Sequence, residues 1–355
     1  MRTAGYAAIA AAFVFTSFIG LVFLYPGIVN NVASKVLGAK DLPVSVLQQV
    51  GPAPKSVPQS ELVQDALAQI NLDRHKYGLG PVRLSSNEAA QVHAEDVFST
   101  KQISHWMTDG EKPYMTYTRY NGTGNVHQNV AITGFTLAEY SHCVSLQSIC
   151  ETIDPVNTII DLEYKMMYDD ESCCANGHRE NILDPHHTDV SIGIVYDRYY
   201  LVFVENFEDN YGLTTSVNDG TVNVRGHLTS GTLSQLQITF DELPTPAVYE
   251  ANKNKLSYSS GTTVAVVARP LGFGYFYEQP HGYKIVEADR WDVDNATGTV
   301  DISFSLAKAV SKDGVYTVSA VLNDGKSAFD ATSYSIFVKT VSSVAAAPTQ
   351  KQSSS

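Results

Sequence analysis

Residues 177–207 read GHRENILDPHHTDVSIGIVYDRYYLVFVENF. The segments VSIGIVY and YYLVFVENF are rich in β-branched and aromatic residues, and Asp197-Arg198 lies between them. That pattern predicts two strands, 190–195 and 199–207, joined by a tight turn. Upstream the period changes. From Ser60, residues Leu62, Ala66, Ile70 and Leu72 recur at helical spacing, until Gly78, Gly80 and Pro81 break the run. A second helix is expected from about Asn87, through Ala89, Ala90, Val92, His93, Val97 and Phe98. A third is expected from Val156 to about Glu171. Helices followed by strands within one unit indicate α+β layers.

Downstream of Gly212 the texture is different. TVNVRGHL, QLQITF, TTVAVVARP, TVDISFSL, GVYTVSAVL and SYSIFVKT are short alternating or apolar runs. Turn signals such as Asn218-Asp219-Gly220 and Asn323-Asp324-Gly325 separate them. This predicts an all-β, immunoglobulin-like antiparallel sandwich over 213–341. Within it, Gly272-Phe273-Gly274-Tyr275-Phe276-Tyr277 reads as an edge strand packed on its neighbour, with a contact surface for glycan or protein as the other reading.

The chain has 355 residues, enough for about two domains. Its formal net charge is −13, and no Lys/Arg cluster interrupts that balance, so nucleic acid is not an expected partner. Tyr6–Tyr25 is an uncharged run long enough for a membrane helix, ended by Pro26. Residues 1–30 are therefore expected to be a signal anchor, or a signal peptide if cleaved, and to place the bulk of the chain outside the cytoplasm. Residues 31–58, with four prolines, read as an extended stalk, and 342–355 as a disordered tail. The four cysteines, Cys143, Cys150, Cys173 and Cys174, fall in one window, and the sequons at Asn121 and Asn295 agree with export. A disulfide tying the Cys143/Cys150 loop to Cys173 or Cys174 is expected, because adjacent cysteines lie below the usual Cα spacing of a bridge.

Residues 59–212 carry a series of motifs in order. They are Asn71 and Arg74 before Gly78-Leu79-Gly80-Pro81, then His93-Ala94-Glu95-Asp96, Ser104-His105, His127-Gln128-Asn129-Val130, Gly177-His178-Arg179-Glu180-Asn181-Ile182-Leu183, and the hairpin from Ile192-Gly193-Ile194 to Phe207. In order and spacing this set resembles the CAP superfamily of cysteine-rich secretory, antigen 5 and pathogenesis-related proteins, in its prokaryotic form. The resemblance implies an α–β–α sandwich with a cleft faced by two histidines and two acids.

Carried over, the histidines are His105 and His178. The first acid falls at Gln128, a departure from the family pattern. The second lies on the helix before His178, where the stripe Ile160, Tyr164, Met167, Glu171 favours Glu171, with Asp170 and Glu163 as alternatives. His105, Glu171 and His178 would make a three-ligand site for zinc or another divalent metal, with Gln128 among the ligand-binding residues. The bland reading is a buried hydrogen-bond network under the hairpin. His93 is expected to pack, His186-His187 to sit in a solvated loop, and His127 to alternate away from Gln128 if extended, with a supporting role beside Gln128 as the other reading. No G-x-S-x-G, P-loop or dinucleotide fingerprint is present. Gln128 favours a surface binding module for lipid, glycan or protein over the alternative, a metal-dependent hydrolase or peptidase-like enzyme.

Overall fold

The computed structural model describes residues 57–146 and 150–339. The apolar run at 6–25, nearly all of the stalk and the tail from 342 lie outside the described residues. Among the described residues no helix is long and apolar enough to cross a membrane.

The first layer system is built on a sheet of four strands in the order β1-β3-β4-β2. These are β1 (Arg83–Leu84), β2 (Asn125–Gly134), β3 (Asp189–Tyr196) and β4 (Tyr200–Asp209). β1 runs parallel to β3, and the other pairs are antiparallel. Every residue of β4 is buried, including Glu205, Asn206, Glu208 and Asp209 after its apolar start Tyr200–Val204, so the strand is covered on both faces.

One face takes α1 (Gln59–Lys76) and α5 (Pro155–Tyr168). Their Leu62, Ala66, Ile70, Ile159, Leu162 and Met166 pack on Leu201, Phe203 and Phe207. The other face takes α2 (Ala89–Thr100), whose Ala90, Ala94 and Val97 pack on Val130, Val202 and Val204. This is the α–β–α arrangement that the motifs imply.

The sheet also explains its one central glycine. A Cβ on Gly193 would stand 2.1 Å from the Ala90 carbonyl oxygen, so only glycine lets α2 lie this close to β3. Two further short helices follow α3 (Pro113–Arg119) and α4 (Leu137–Leu146): α6 (Glu171–Cys174) and α7 (Gly177–Ile182). Arg74 fastens α1 to the end of α7. Its guanidinium is almost fully buried and donates to the carbonyls of Gly80, Ile182 and Asp184 at 2.8–3.0 Å.

Beyond Asp209 the chain is a two-sheet sandwich. One sheet has β5 (Leu213–Asn218), β6 (Thr221–His227), β10 (Arg290–Asp294) and β11 (Thr299–Ser305), in the order β10-β11-β6-β5. The other has β7 (Thr232–Asp241), β8 (Thr262–Ala268), β9 (Lys284–Glu287), β12 (Gly314–Asn323), β13 (Ala328–Asp330) and β14 (Tyr334–Val338). The helix α8 (Pro246–Asn252) follows β7. The core between the sheets is built from residues such as Val224, Leu236, Ile238, Ile302, Phe304 and Val318.

Two expectations need correction here. The sandwich is not wholly antiparallel, because β8 and β9 run parallel. The crossover between them holds the Gly272–Tyr277 run, which is therefore a loop and not an edge strand. Phe273, Tyr275 and Phe276 on it are fully or largely exposed.

Candidate functional site

β2 is an edge strand, and edges need cover. Here the sandwich supplies it. The backbone N–H of Gln128 donates to the Tyr258 hydroxyl at 3.1 Å, and the Gly124 carbonyl accepts from Ser333 N at 3.1 Å. Asp241 clamps the same contact, accepting from Lys112 Nζ at 2.7 Å and from the Tyr114 hydroxyl at 2.6 Å. A cavity of about 360 Å³ remains along this edge. Its walls include His105, Gln128, Asn129, His178 and Asn181 on one side and Ser257, Tyr258, Thr317, Ser319 and Asp330 on the other.

His105 and His178 reach the cavity from opposite faces of the sheet. His105 lies on the α2 side, where its Nδ1 is 3.1 Å from Gln128 Oε1. The Gln128 amide in turn donates to Asn206 Oδ1 at 3.1 Å. The Tyr258 ring lies against the imidazole, centroids 5.1 Å apart. Burial lowers the His105 pKa, and the hydrogen bond to Gln128 only partly offsets it. The imidazole is thus held between the Gln128 amide and the Tyr258 ring at the cavity wall.

His178 lies on the other face, at the first turn of α7. Asp170 places it. The helix α5 stops at Tyr168, and the chain turns through Asp169 and Asp170 before α6. This turn sends the Asp170 carboxylate to the start of α7, where Oδ2 accepts from the N–H groups of His178 at 2.8 Å and Arg179 at 3.2 Å. Asp170 Oδ1 is 2.6 Å from His178 Nδ1. Asn129 Nδ2 donates to the His178 carbonyl at 3.2 Å. The dyad leaves His178 Nε2 unbonded among the described residues.

Glu171, the carboxylate favoured by the helical stripe, is exposed on α6 and is not part of this group. Its place beside His178 is taken by Asp170. Glu163 does not line the cavity; it is fully buried beside Glu205, and burial together with that neighbour pushes its carboxyl well above the usual range. His105, Gln128 and His178 do line one cavity. Glu171, however, is exposed on α6 and does not join His105 and His178 at the cavity.

A different donor set does come together. Asp170, Cys173, Cys174 and His178 hold four potential ligand atoms within 4.8 Å of one another. The two sulfurs in it are bonded to each other, and Cys143 is bonded to Cys150. The expected cross-link between the two cysteine pairs is therefore replaced by two local ones.

Four further histidines lie near the cavity or in the core. His93 is 1 % exposed and bonds the Ser104 carbonyl through Nε2 at 2.8 Å. Burial lowers its pKa to about 4. His187 does not sit in a solvated loop. Its side chain is fully buried, with Nδ1 2.6 Å from Asp209 Oδ1 and Nε2 2.9 Å from Asn181 Oδ1. His127 lies 3.5 Å from the other Asp209 oxygen. His186 stacks on Phe329 of the sandwich, centroids 4.0 Å apart.

The sequence matches no family model, and no curated protein matches it. Among solved structures, the chain is similar to an extracellular protein containing an SCP domain from Bacillus anthracis str. Ames, at 17% identity and TM-score 0.32, over 45% of each chain. It is also similar to an outer surface protein from Borrelia burgdorferi, at 12% identity and TM-score 0.30, over 43% of this chain and 96% of that one. The chain thus spans under half the length of the Bacillus protein.

Proposed function

We propose that this chain is an extracytoplasmic surface module that binds a small, hydrogen-bonding ligand, a saccharide by class, in the cavity between the α–β–α layers and the sandwich. The carrying observation is the cavity lining: amides and hydroxyls from both sides, among them Asn125, Asn129, Asn181, Ser260, Thr317 and Ser333, with the rings of Tyr114 and Tyr258. An acyl chain would desolvate those groups without bonding them, at a cost of about 1–3 kcal/mol each. A saccharide can bond them and stack on the rings. Export is supported by the pairing of all four cysteines and by the exposure of both sequon residues, Asn121 and Asn295.

The test is saturation-transfer NMR on the full chain with saccharide fragments and, separately, short fatty acids. Saccharide signals are expected, and Ser257→Trp, which fills the cavity from an exposed position, should abolish them. Transfer to fatty acids alone would sink the proposal.

A further inference from the structure

We propose that Asp170, Cys173, Cys174 and His178 form a thiol-gated site for one soft divalent cation of the zinc and cadmium class. The site is closed while the two cysteines are bonded to each other and open once they are reduced.

The geometry is local and fixed. All four donors fall within nine residues, and their atoms lie within 4.8 Å of one another. Asp170 is 2 % exposed and held by the N–H groups of α7, so it cannot swing away. Cys173 Sγ stands 3.5 Å from Asp170 Oδ1. The short helix α6 carries both sulfurs, and the turn after it returns the chain to His178. Two thiolates, an imidazole and a carboxylate form a four-coordinate set with the softness that zinc and cadmium prefer. Binding needs only that the Asp170–His178 contact open from hydrogen-bond distance to the spacing of two ligands on one ion. The site lies at the rim of the cavity, which Cys174 and His178 line, and it does not depend on which polar ligand the cavity takes.

Access decides which pair is reduced. Cys173 is exposed and Cys174 half-buried, whereas Cys143 is 2 % exposed. A small dithiol reaches the first pair directly. One of its thiolates attacks a cysteine sulfur, the Cys173–Cys174 bond breaks, and a mixed disulfide forms as the other cysteine leaves as thiolate. The second thiol of the reductant then displaces the remaining cysteine. Two electrons pass to the protein, and the reductant departs as its cyclic disulfide. Both cysteines take up protons and release them again when the cation binds.

The experiment uses the full chain, reduced with a dithiol and freed of it without oxygen, then titrated with Cd²⁺. Thiolate-to-metal absorption in the ultraviolet is the readout. The reduced chain should take one Cd²⁺ with that absorption, and the unreduced chain should show none. Cys143→Ser/Cys150→Ser should keep the signal. Cys173→Ser/Cys174→Ser should weaken binding by more than about 100-fold, beyond the cost of losing a supporting contact. His178→Ala, at a partly exposed position, should weaken binding while retaining thiolate absorption. Absorption that survives Cys173→Ser/Cys174→Ser, or that never appears in the reduced chain, would overturn the proposal.

Discussion

Two histidine–carboxylate pairs flank the cavity, and at first sight they are the same object. In His187–Asp209 and in His178–Asp170 the Nδ1 to Oδ1 distance is 2.6 Å. The difference lies at the other end of the ring. His187 gives Nε2 to Asn181 and is 0 % exposed, while His178 leaves Nε2 open and its side chain is 18 % exposed. One pair is consumed by the fold, and the other is held ready by it. The lesson is that imidazole chemistry follows from the second nitrogen, not from the carboxylate that motif reading looks for.

The largest expected effect sharpens this contrast. Asp209→Ala strands His187 in the core and removes the partner of His127, so it should cost about 3–5 kcal/mol in urea unfolding. Equal losses for Asp209→Ala and Asp170→Ala would break the comparison.

A smaller effect comes from pH. His93 has its folded pKa lowered to about 4 by burial, against about 6.5 unfolded. The unfolded chain therefore binds the extra proton, and stability falls as pH drops from about 6.5 to about 4, by about 3 kcal/mol in all. His105, also lowered by burial, adds a loss of the same sign. Asp209 acts in a different window. Burial alone would raise its pKa, but hydrogen bonds from His127 and His187 outweigh that and hold it below the usual range. Its contribution is thus present above about pH 3.9 and lost as pH falls further. Denaturant unfolding at a series of pH values should show a flatter slope between 6.5 and 4 in His93→Gln. An unchanged slope would remove His93 from the buried class.

The smallest effect belongs to the residue that the helical stripe selected. Glu171→Ala should change stability by less than about 0.5 kcal/mol, as an exposed site does. Asp170→Ala should cost about 1 kcal/mol through the lost cap on α7. If the order were reversed, the carboxylate assignment at the cavity would fall.

Much of the fold is legible because it rests on local period. The apolar run Tyr200–Val204 opens β4, whose faces are both covered, and α1, α2 and α5 announce themselves by spacing. The errors have local causes as well. The stripe to Glu171 assumes one helix, whereas α5 ends at Tyr168 and restarts out of phase. The Gly272–Tyr277 run carries strand-like residues but serves as the crossover between parallel strands. What no local pattern could show is long-range pairing. Tyr258 meets Gln128 across 130 positions, and Asp209 meets His187 across 22. The first brings the sandwich over Gln128, and the second turns a loop histidine into core.

The cavity has walls from both folding units, and this bears on how the chain melts. A molecule bound there belongs to neither unit alone, so its free energy is forfeited when either one opens. At a hundredfold excess over its dissociation constant it contributes about 2.7 kcal/mol to keeping them joined. Two overlapping calorimetric transitions in the empty chain should then merge into a single cooperative one, with a van 't Hoff enthalpy that approaches the total heat.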